Sequence, residues 1–162
     1  TKLLENCLTV IEMPVSWSDM NAAWHVSNIT FFRYFESARV HFFEQIGFAQ
    51  YDAKRDIGIV LASISCKFKI PLVYPDTISI GTKISSMQEK SFIMQHLVIS
   101  HKHQKLAAEG EAVIVTYNYK EQCKIPVPQF LIQRIDNLDN SRGLGSLNNP
   151  KELDVLDNLG EL

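Results

Sequence analysis

Four side chains near the start of the chain are of the types that move protons or orient polar bonds: Asp19, Asn21, His25 and Glu36. A buried carboxylate or an imidazole can take a proton from water near neutral pH, whereas an asparagine amide offers N–H donors that hold a carbonyl or a water in place. Each residue also has a plainer use. Asp19, just ahead of a helix, could bind loop amides, Asn21 could close the loop, and His25 could be a partly buried imidazole bonded to backbone. Glu36 could pair with Arg33 or Arg39 at helical spacing, or act as a base with a raised pKa once buried. His96, His101 and His103 are of the type that binds zinc, but Lys102 between the last two marks a solvated hairpin turn, so no metal site is expected. Cys7, Cys66 and Cys123 are odd in number and lack close metal-type spacing, and they read as reduced thiols.

Two elements must position the four side chains. The polar loop from Trp17 to Asn28 holds Asp19, Asn21 and His25, and it runs straight into a long amphipathic helix. From Ile29 to Ile46, Phe31, Phe35, Ala38, Phe42 and Ile46 recur at steps of three or four, and Phe32 and Phe43 widen the stripe. Asn28 or Ser27 supplies an oxygen for the first-turn amides, and Gly47 stands where a left-handed C-terminal cap belongs.

The rest of the chain reads as wrapping for that helix. Leu8 to Val15 is a first strand, ending at Pro14, and residues 48 to 57 form a solvated connection with room for one more helical turn. Ala62, Ile64, Cys66, Phe68 and Ile70 alternate with Ser63, Ser65, Lys67 and Lys69, which predicts a strand with one core face and one wet face. Ile78 to Ile84, Ser91 to Ser100 and Lys105 to Tyr119 follow after short turns, so the strands should pair as an antiparallel meander, with Gly110 a bulge or a point of close approach. The pattern is α+β: a sheet of about five strands curled around one helix. Gln129 to Ile135 reads as a short helix, residues 136 to 147 as a linker, and Asn149 to Gly160 as a capped helix that docks through Leu153, Leu156 and Leu159.

Bulk properties narrow the class. A chain of 162 residues suits one domain, and 16 basic against 18 acidic residues leave no charge footprint for nucleic acid. No apolar run approaches the roughly 18 residues of a membrane span, and the opening residues lack a secretory core, so a cytoplasmic location with no membrane insertion is expected.

The loop Trp17-Ser18-Asp19-Met20-Asn21-Ala22-Ala23-Trp24-His25-Val26-Ser27-Asn28, followed by Phe31-Phe32-Arg33-Tyr34-Phe35-Glu36-Ser37-Ala38-Arg39, closely resembles hotdog-fold acyl-CoA thioesterases of the 4-hydroxybenzoyl-CoA thioesterase type. The likeness continues through Phe68-Lys69-Ile70-Pro71, Pro75-Asp76-Thr77, Lys90-Ser91-Phe92, Ala107-Ala108-Glu109-Gly110-Glu111-Ala112 and Ile125-Pro126, spanning roughly residues 8 to 128. It implies a hotdog domain over 1–135, followed by the linker and docking helix over 136–162. It also implies dimers or tetramers and an acyl-thioester site at the dimer interface, where amides at the helix N-terminus face the carbonyl.

By the same resemblance, the family's catalytic carboxylate falls at Asn21, its loop glycine at Trp24 and an asparagine at Ser27. Asn21, His25, Asp19 and Glu36 are then the catalytic candidates. Trp24, Ser27, Asn28, Lys69, Lys90 and Ser91 are the substrate-binding ones, with Lys67, Lys69 and Lys90 toward coenzyme A phosphates. The expected activity is hydrolysis, or binding, of a fatty or aromatic acyl-CoA, with no cofactor beyond the coenzyme A of the substrate. The rival readings are an acyl-CoA-binding module without chemistry and a hydratase or dehydratase that pairs His25 with Glu36.

Overall fold

The structure is a computed structural model, and it describes residues 2–143. Strand β1 (Thr9–Pro14) leads through a short 3-10 turn at Trp17–Asp19 into helix α1 (Asn28–Gln45). There follow β2 (Tyr51–Asp52), β3 (Ile57–Phe68), β4 (Thr77–Met87), β5 (Ser91–Ser100), β6 (Lys105–Asn118), β7 (Cys123–Lys124) and helix α2 (Gln129–Arg142). The sheet runs in the order β1-β4-β5-β6-β3-β2, every pair antiparallel, and β7 adds to the end of β6. The expected hotdog architecture is therefore present: five long strands and two two-residue strands around one long helix.

The inner stripe of α1 is what holds the two layers together. Phe31, Phe35, Ala38, Phe42, Phe43 and Ile46 are buried on the sheet, and Gly47 takes the left-handed conformation (φ 67°) that releases the chain from the helix. A row of polar and small residues crosses the sheet beneath the middle of α1. Thr9, Thr82, His96, Gly110 and Cys66 are successive partners on β1, β4, β5, β6 and β3. This row divides the interior into two apolar clusters. One contains Phe42, Phe43, Ile84, Phe92, Met94, Ile114, Leu131 and Ile135, and the other contains Phe31, Phe35, Leu72, Ile78, Ile80 and Val98. Gly110 proves to be a point of close approach: a Cβ there would stand 2.5 Å from the Phe35 ring. The nearby irregularity in the β5–β6 register lies three residues earlier, at Ala107.

Several expectations are revised. The meander holds for β4, β5 and β6 alone: β3 crosses over to pair with β6 and not with β4, whose other edge is taken by β1. The alternating strand β3 shifts register at Ala62, between Leu61 and Ser63, and a one-residue shift exchanges the faces of a strand. Ala62, at the shift, is exposed, and Ile64 and Cys66 are half-buried; Phe68 shares their face and meets the Phe31 ring edge-on at 5.2 Å, but at the end of the strand it is exposed. Residues 48–57 hold β2 and a turn, in which Asp52 accepts from the amides of Lys54 and Arg55 and from the Arg55 side chain, and no further helical turn. The helix expected to end at Ile135 continues to Arg142, so residues 136–142 are α2 and not a linker. Leu131 and Ile135 bury against the Phe42 cluster, Arg134 Nη1 donates to the Gly47 carbonyl at 2.9 Å, and at the far end Arg142 Nη1 donates to the Cys7 carbonyl at 3.3 Å, which ties both ends of α2 to the body. The helix expected over Asn149 to Gly160 lies outside the described residues.

Candidate active site

The loop ahead of α1 is built on Asp19. Its carboxylate is 6% exposed, and Oδ2 accepts from the Ser16 amide at 3.0 Å and from the Tyr34 hydroxyl at 2.8 Å. Arg33 approaches Oδ1 at 3.9 Å. Burial first, and then the neighbouring carboxylate, push the Tyr34 hydroxyl above its ordinary range, so it remains a donor. Asp19 is thus spent on closing the loop; the structure assigns it the plainer of its two uses and withdraws it from the bases. Tyr34, which the sequence argument placed only in the helix wording, is the residue that anchors it.

From Met20 the chain makes a tight hairpin. Met20 and Val26 pair as an isolated bridge, the Asn21 amide donates to the His25 carbonyl at 3.0 Å, and the Trp24 amide donates to the Asn21 carbonyl at 3.0 Å. Such a three-residue apex needs its last residue in the left-handed region, which favours glycine. Trp24 occupies it at φ 62°, keeping the backbone of the glycine it stands for, and its indole is 73% exposed. Strain at a residue of this kind costs on the order of 1 kcal/mol or more, which the rest of the fold must hold in place.

Asn21 is exposed, and its Oδ1 accepts from the Ala23 amide at 2.9 Å. With the oxygen engaged inside the hairpin, the side-chain NH₂ is directed outward as a donor. His25 is half-buried beside it. Two bonds hold the hairpin against the body: Val26 N–H to the Leu72 carbonyl at 2.8 Å and Ser27 N–H to the Asp19 carbonyl at 2.9 Å. The helix start is lightly capped. Ser27 makes no side-chain cap bond to it, Asn28 Oδ1 accepts from the Ile29 amide at 3.0 Å, and Thr30 N–H turns back to the Ser27 carbonyl at 3.0 Å. Among the described residues the Asn28 amide has no hydrogen-bond acceptor, so it remains available at the positive end of the helix.

One end of the sheet therefore gathers Asn21, Trp24, His25, Ser27 and Asn28. Lys69 joins that end, its amide donating to the Ala107 carbonyl at 2.8 Å just before Leu72. Lys90 and Ser91 do not. They lie at the β4–β5 turn, the length of an 11-residue strand away from Thr77, about 33 Å for its ten steps of about 3.3 Å. Glu36 does not either: it is exposed on the solvent side of α1 with Arg33, Ser37, Val40, His41 and Glu44. It lies on the opposite arc of the helix from Phe35 and Ala38, which removes the burial that would have made it a base or the partner of His25 in a dehydratase pair. His101 is engaged by β4, with Nε2 2.7 Å from Ser79 Oγ and its amide donating to the Thr77 carbonyl at 2.9 Å, and no group of three metal-binding side chains occurs among the described residues.

A curled antiparallel sheet around one helix, with a polar hairpin ahead of that helix's N-terminus, defines a class, and the sequence places this chain within it. Residues 15–135 match the family model of the thioesterase-like superfamily, and the chain belongs to that family. It is similar, at 31% identity over 86 residues, to a curated Aquifex aeolicus protein provisionally named an esterase; the match covers 52% of this chain and 66% of the relative's length. Among solved structures it is similar to a Pseudomonas aeruginosa protein provisionally named a thioesterase, with a TM-score of 0.69 and 28% identity over 75% of this chain and 93% of the other. It is also similar to a gentisyl-coenzyme A thioesterase, with a TM-score of 0.69 and 26% identity over 78% and 99% of the two chains.

Proposed function

We propose that this chain hydrolyses acyl-CoA thioesters, with the N-terminus of α1 as the electrophilic element and the Met20–Val26 hairpin as the positioning element. The observation that carries this reading is the hairpin itself: it sets the outward amide of Asn21, the half-buried His25 and the unpaired Asn28 amide at one end of the sheet. The gentisyl-coenzyme A thioesterase among the structural relatives supports a CoA thioester as the substrate class. In the step proposed, the thioester oxygen is held by the helix N-terminus and the Asn21 NH₂, so that developing negative charge meets positive dipoles. Water attacks the carbonyl carbon and passes a proton to His25. The carbon–sulfur bond then breaks, and the leaving thiolate takes a proton back, giving a carboxylic acid and free coenzyme A. No metal or organic cofactor is assigned, and chelation should leave turnover unchanged.

The working unit we infer is a homodimer built at the free edge of β3. Among the described residues, past the two-residue contact with β2, the strand is paired only with β6, and Val60, Leu61 and Phe68 on it are 38%, 41% and 51% exposed. A long, apolar edge of this kind calls for a partner strand, and a second copy supplies one. Lys90 and Ser91, remote from Asn21 within one protomer, are then candidates to reach a site on the neighbouring subunit. No helix among the described residues is long and apolar enough to cross a membrane. We place the protein in the cytoplasm, a location that suits its three free cysteines.

Steady-state hydrolysis of a panel of fatty and aromatic acyl-CoA esters tests the reading, and turnover no faster than the buffer rate on every member overturns it. Asn21→Asp sharpens the test. The aspartate keeps the acceptor for Ala23 and adds a carboxylate at the family's catalytic position, so kcat should rise, by up to the ~10²- to 10⁴-fold typical of a positioned base. Binding of the same esters without turnover in either form favours the acyl-CoA-binding module instead.

A further inference from the structure

The polar row that crosses the sheet beneath α1 has a counterpart on the helix. Arg39 stands on the buried arc of α1, one turn beyond Phe35 and one turn before Phe43, and is only 8% exposed. Beneath the helix, Thr9 on β1, Thr82 on β4 and His96 on β5 are successive partners, all of them buried, and the His96 ring stacks on Phe35. Burial first, and the Arg39 charge second, keep the His96 ring neutral, so the guanidinium lies within electrostatic reach of the imidazole. Neither residue has a part in the hydrolytic step. Arg39 is about 16 Å along the helix from the Asn28 amide.

Two atoms in this layer lack a protein partner. Among the described residues, Nη1 of Arg39 and Nε2 of His96 are sealed from solvent and meet no hydrogen-bonding group. Arg39 forms no ion pair among the described residues either, and Glu36, one turn back on the helix, is exposed to solvent. A guanidinium taken out of water without a counter-charge is costly in an interior of low dielectric, and buried cations are held by anions for that reason.

The hydrogen bond at the other ring nitrogen decides what would fit. Thr82 Oγ1 lies 2.9 Å from His96 Nδ1. With the hydroxyl donating, Nδ1 is the acceptor and the ring proton sits on Nε2, so His96 offers a second sealed N–H beside that of Arg39. Two donors and one unbalanced positive charge call for an acceptor that is itself negative. Phe35 and Phe42, both fully buried on either side of this layer, leave room only for a small one.

We propose that a monovalent anion of about the size of chloride is bound between α1 and β5, hydrogen-bonded by Nη1 of Arg39 and Nε2 of His96. It balances the guanidinium and satisfies both sealed donors at once. A water molecule in the same place would leave the charge unbalanced, and it is the competing outcome of the test.

Thermal unfolding of the full chain tests the proposal, with sodium gluconate, whose anion is too bulky for a sealed site, exchanged for sodium chloride at constant ionic strength. Tm should rise with chloride, and above the dissociation constant each tenfold should add about 3–6 °C for a chain of this size. Arg39→Met keeps the length of the side chain without its charge and should abolish the chloride response, with circular dichroism confirming the fold. Crystals of the wild type grown in bromide give a reading that needs no variant: an anomalous peak should stand at hydrogen-bond distance from both Nη1 and Nε2. The same Tm in chloride and gluconate overturns the proposal, even beside a bromide peak, which would then be binding at crystal concentration only. A chloride response that Arg39→Met keeps in full, or a water and no bromide at these two atoms, overturns it as well.

Discussion

His96 gives the most quantitative handle on this fold. Its ring is fully buried on β5, stacked on Phe35 with centroids 5.4 Å apart, and Nδ1 lies 2.9 Å from Thr82 Oγ1. Among the described residues Nε2 is buried without a partner, as is Nη1 of Arg39, one helical turn beyond Phe35. Burial, and secondarily the Arg39 cation, drive the His96 pKa down to about 3, against about 6.5 for an unperturbed histidine. The sign follows directly. The folded state holds the neutral ring, while the unfolded chain accepts a proton at higher pH, so this contribution to stability is complete above pH 6.5 and is lost as the pH falls from there toward 3.

The slope approaches ~1.4 kcal/mol per pH unit once the unfolded chain is protonated, and the whole shift amounts to roughly 5 kcal/mol, a large part of a typical 5–15 kcal/mol stability. The measurement is urea unfolding of the wild type and His96→Asn between pH 7 and pH 4. Asparagine keeps a polar partner for Thr82 but does not titrate, and both proteins share every other titrating carboxylate. Above pH 6.5 the stability difference should be flat; below it the wild type should lose its advantage steadily. Parallel pH profiles in the two proteins would refute the claim that a neutral, sealed imidazole lies beneath α1.

Other perturbations read different layers. Tyr34→Phe removes the hydroxyl donor of a buried carboxylate and should cost about 1.5–3 kcal/mol, together with a rise in KM as the loop loosens, measured by denaturant unfolding and acyl-CoA kinetics. Trp24→Gly relieves a left-handed φ at little loss of burial and should raise stability by ~0.5–1 kcal/mol in thermal unfolding; a clear drop would mean that the indole is packed. Gly110→Ala forces a methyl to within 2.5 Å of the Phe35 ring and should cost ~1–3 kcal/mol by the same assay, since the ring cannot retreat from His96.

The sequence by itself determined the helix and the long strand segments, and only part of their order. The stripe from Phe31 to Ile46 can be buried in only one way, Gly47 ends the helix, and the short turns between β4, β5 and β6 leave little choice but an antiparallel meander there, whereas the crossing of β3 to the far edge of β6 has no local signal. The stripe, the cap and the short turns are local or periodic properties of neighbouring residues. The wording from Trp17 to Arg39 likewise points to the helix N-terminus as the candidate site, and the hairpin of Asn21 and His25 lies just ahead of that helix. The tertiary structure decided what each polar side chain is used for. Asp19 and Glu36 are equally plausible bases on paper, but Tyr34 and the Ser16 amide claim the first, while the position of the second on the helix circumference turns it to solvent. The register shift at Ala62, and the pairing of Thr82 with His96 under Phe35, depend on contacts between residues far apart in the chain. A hydrogen bond or a burial is a property of two surfaces brought together, and one strand of sequence carries only its own half of it.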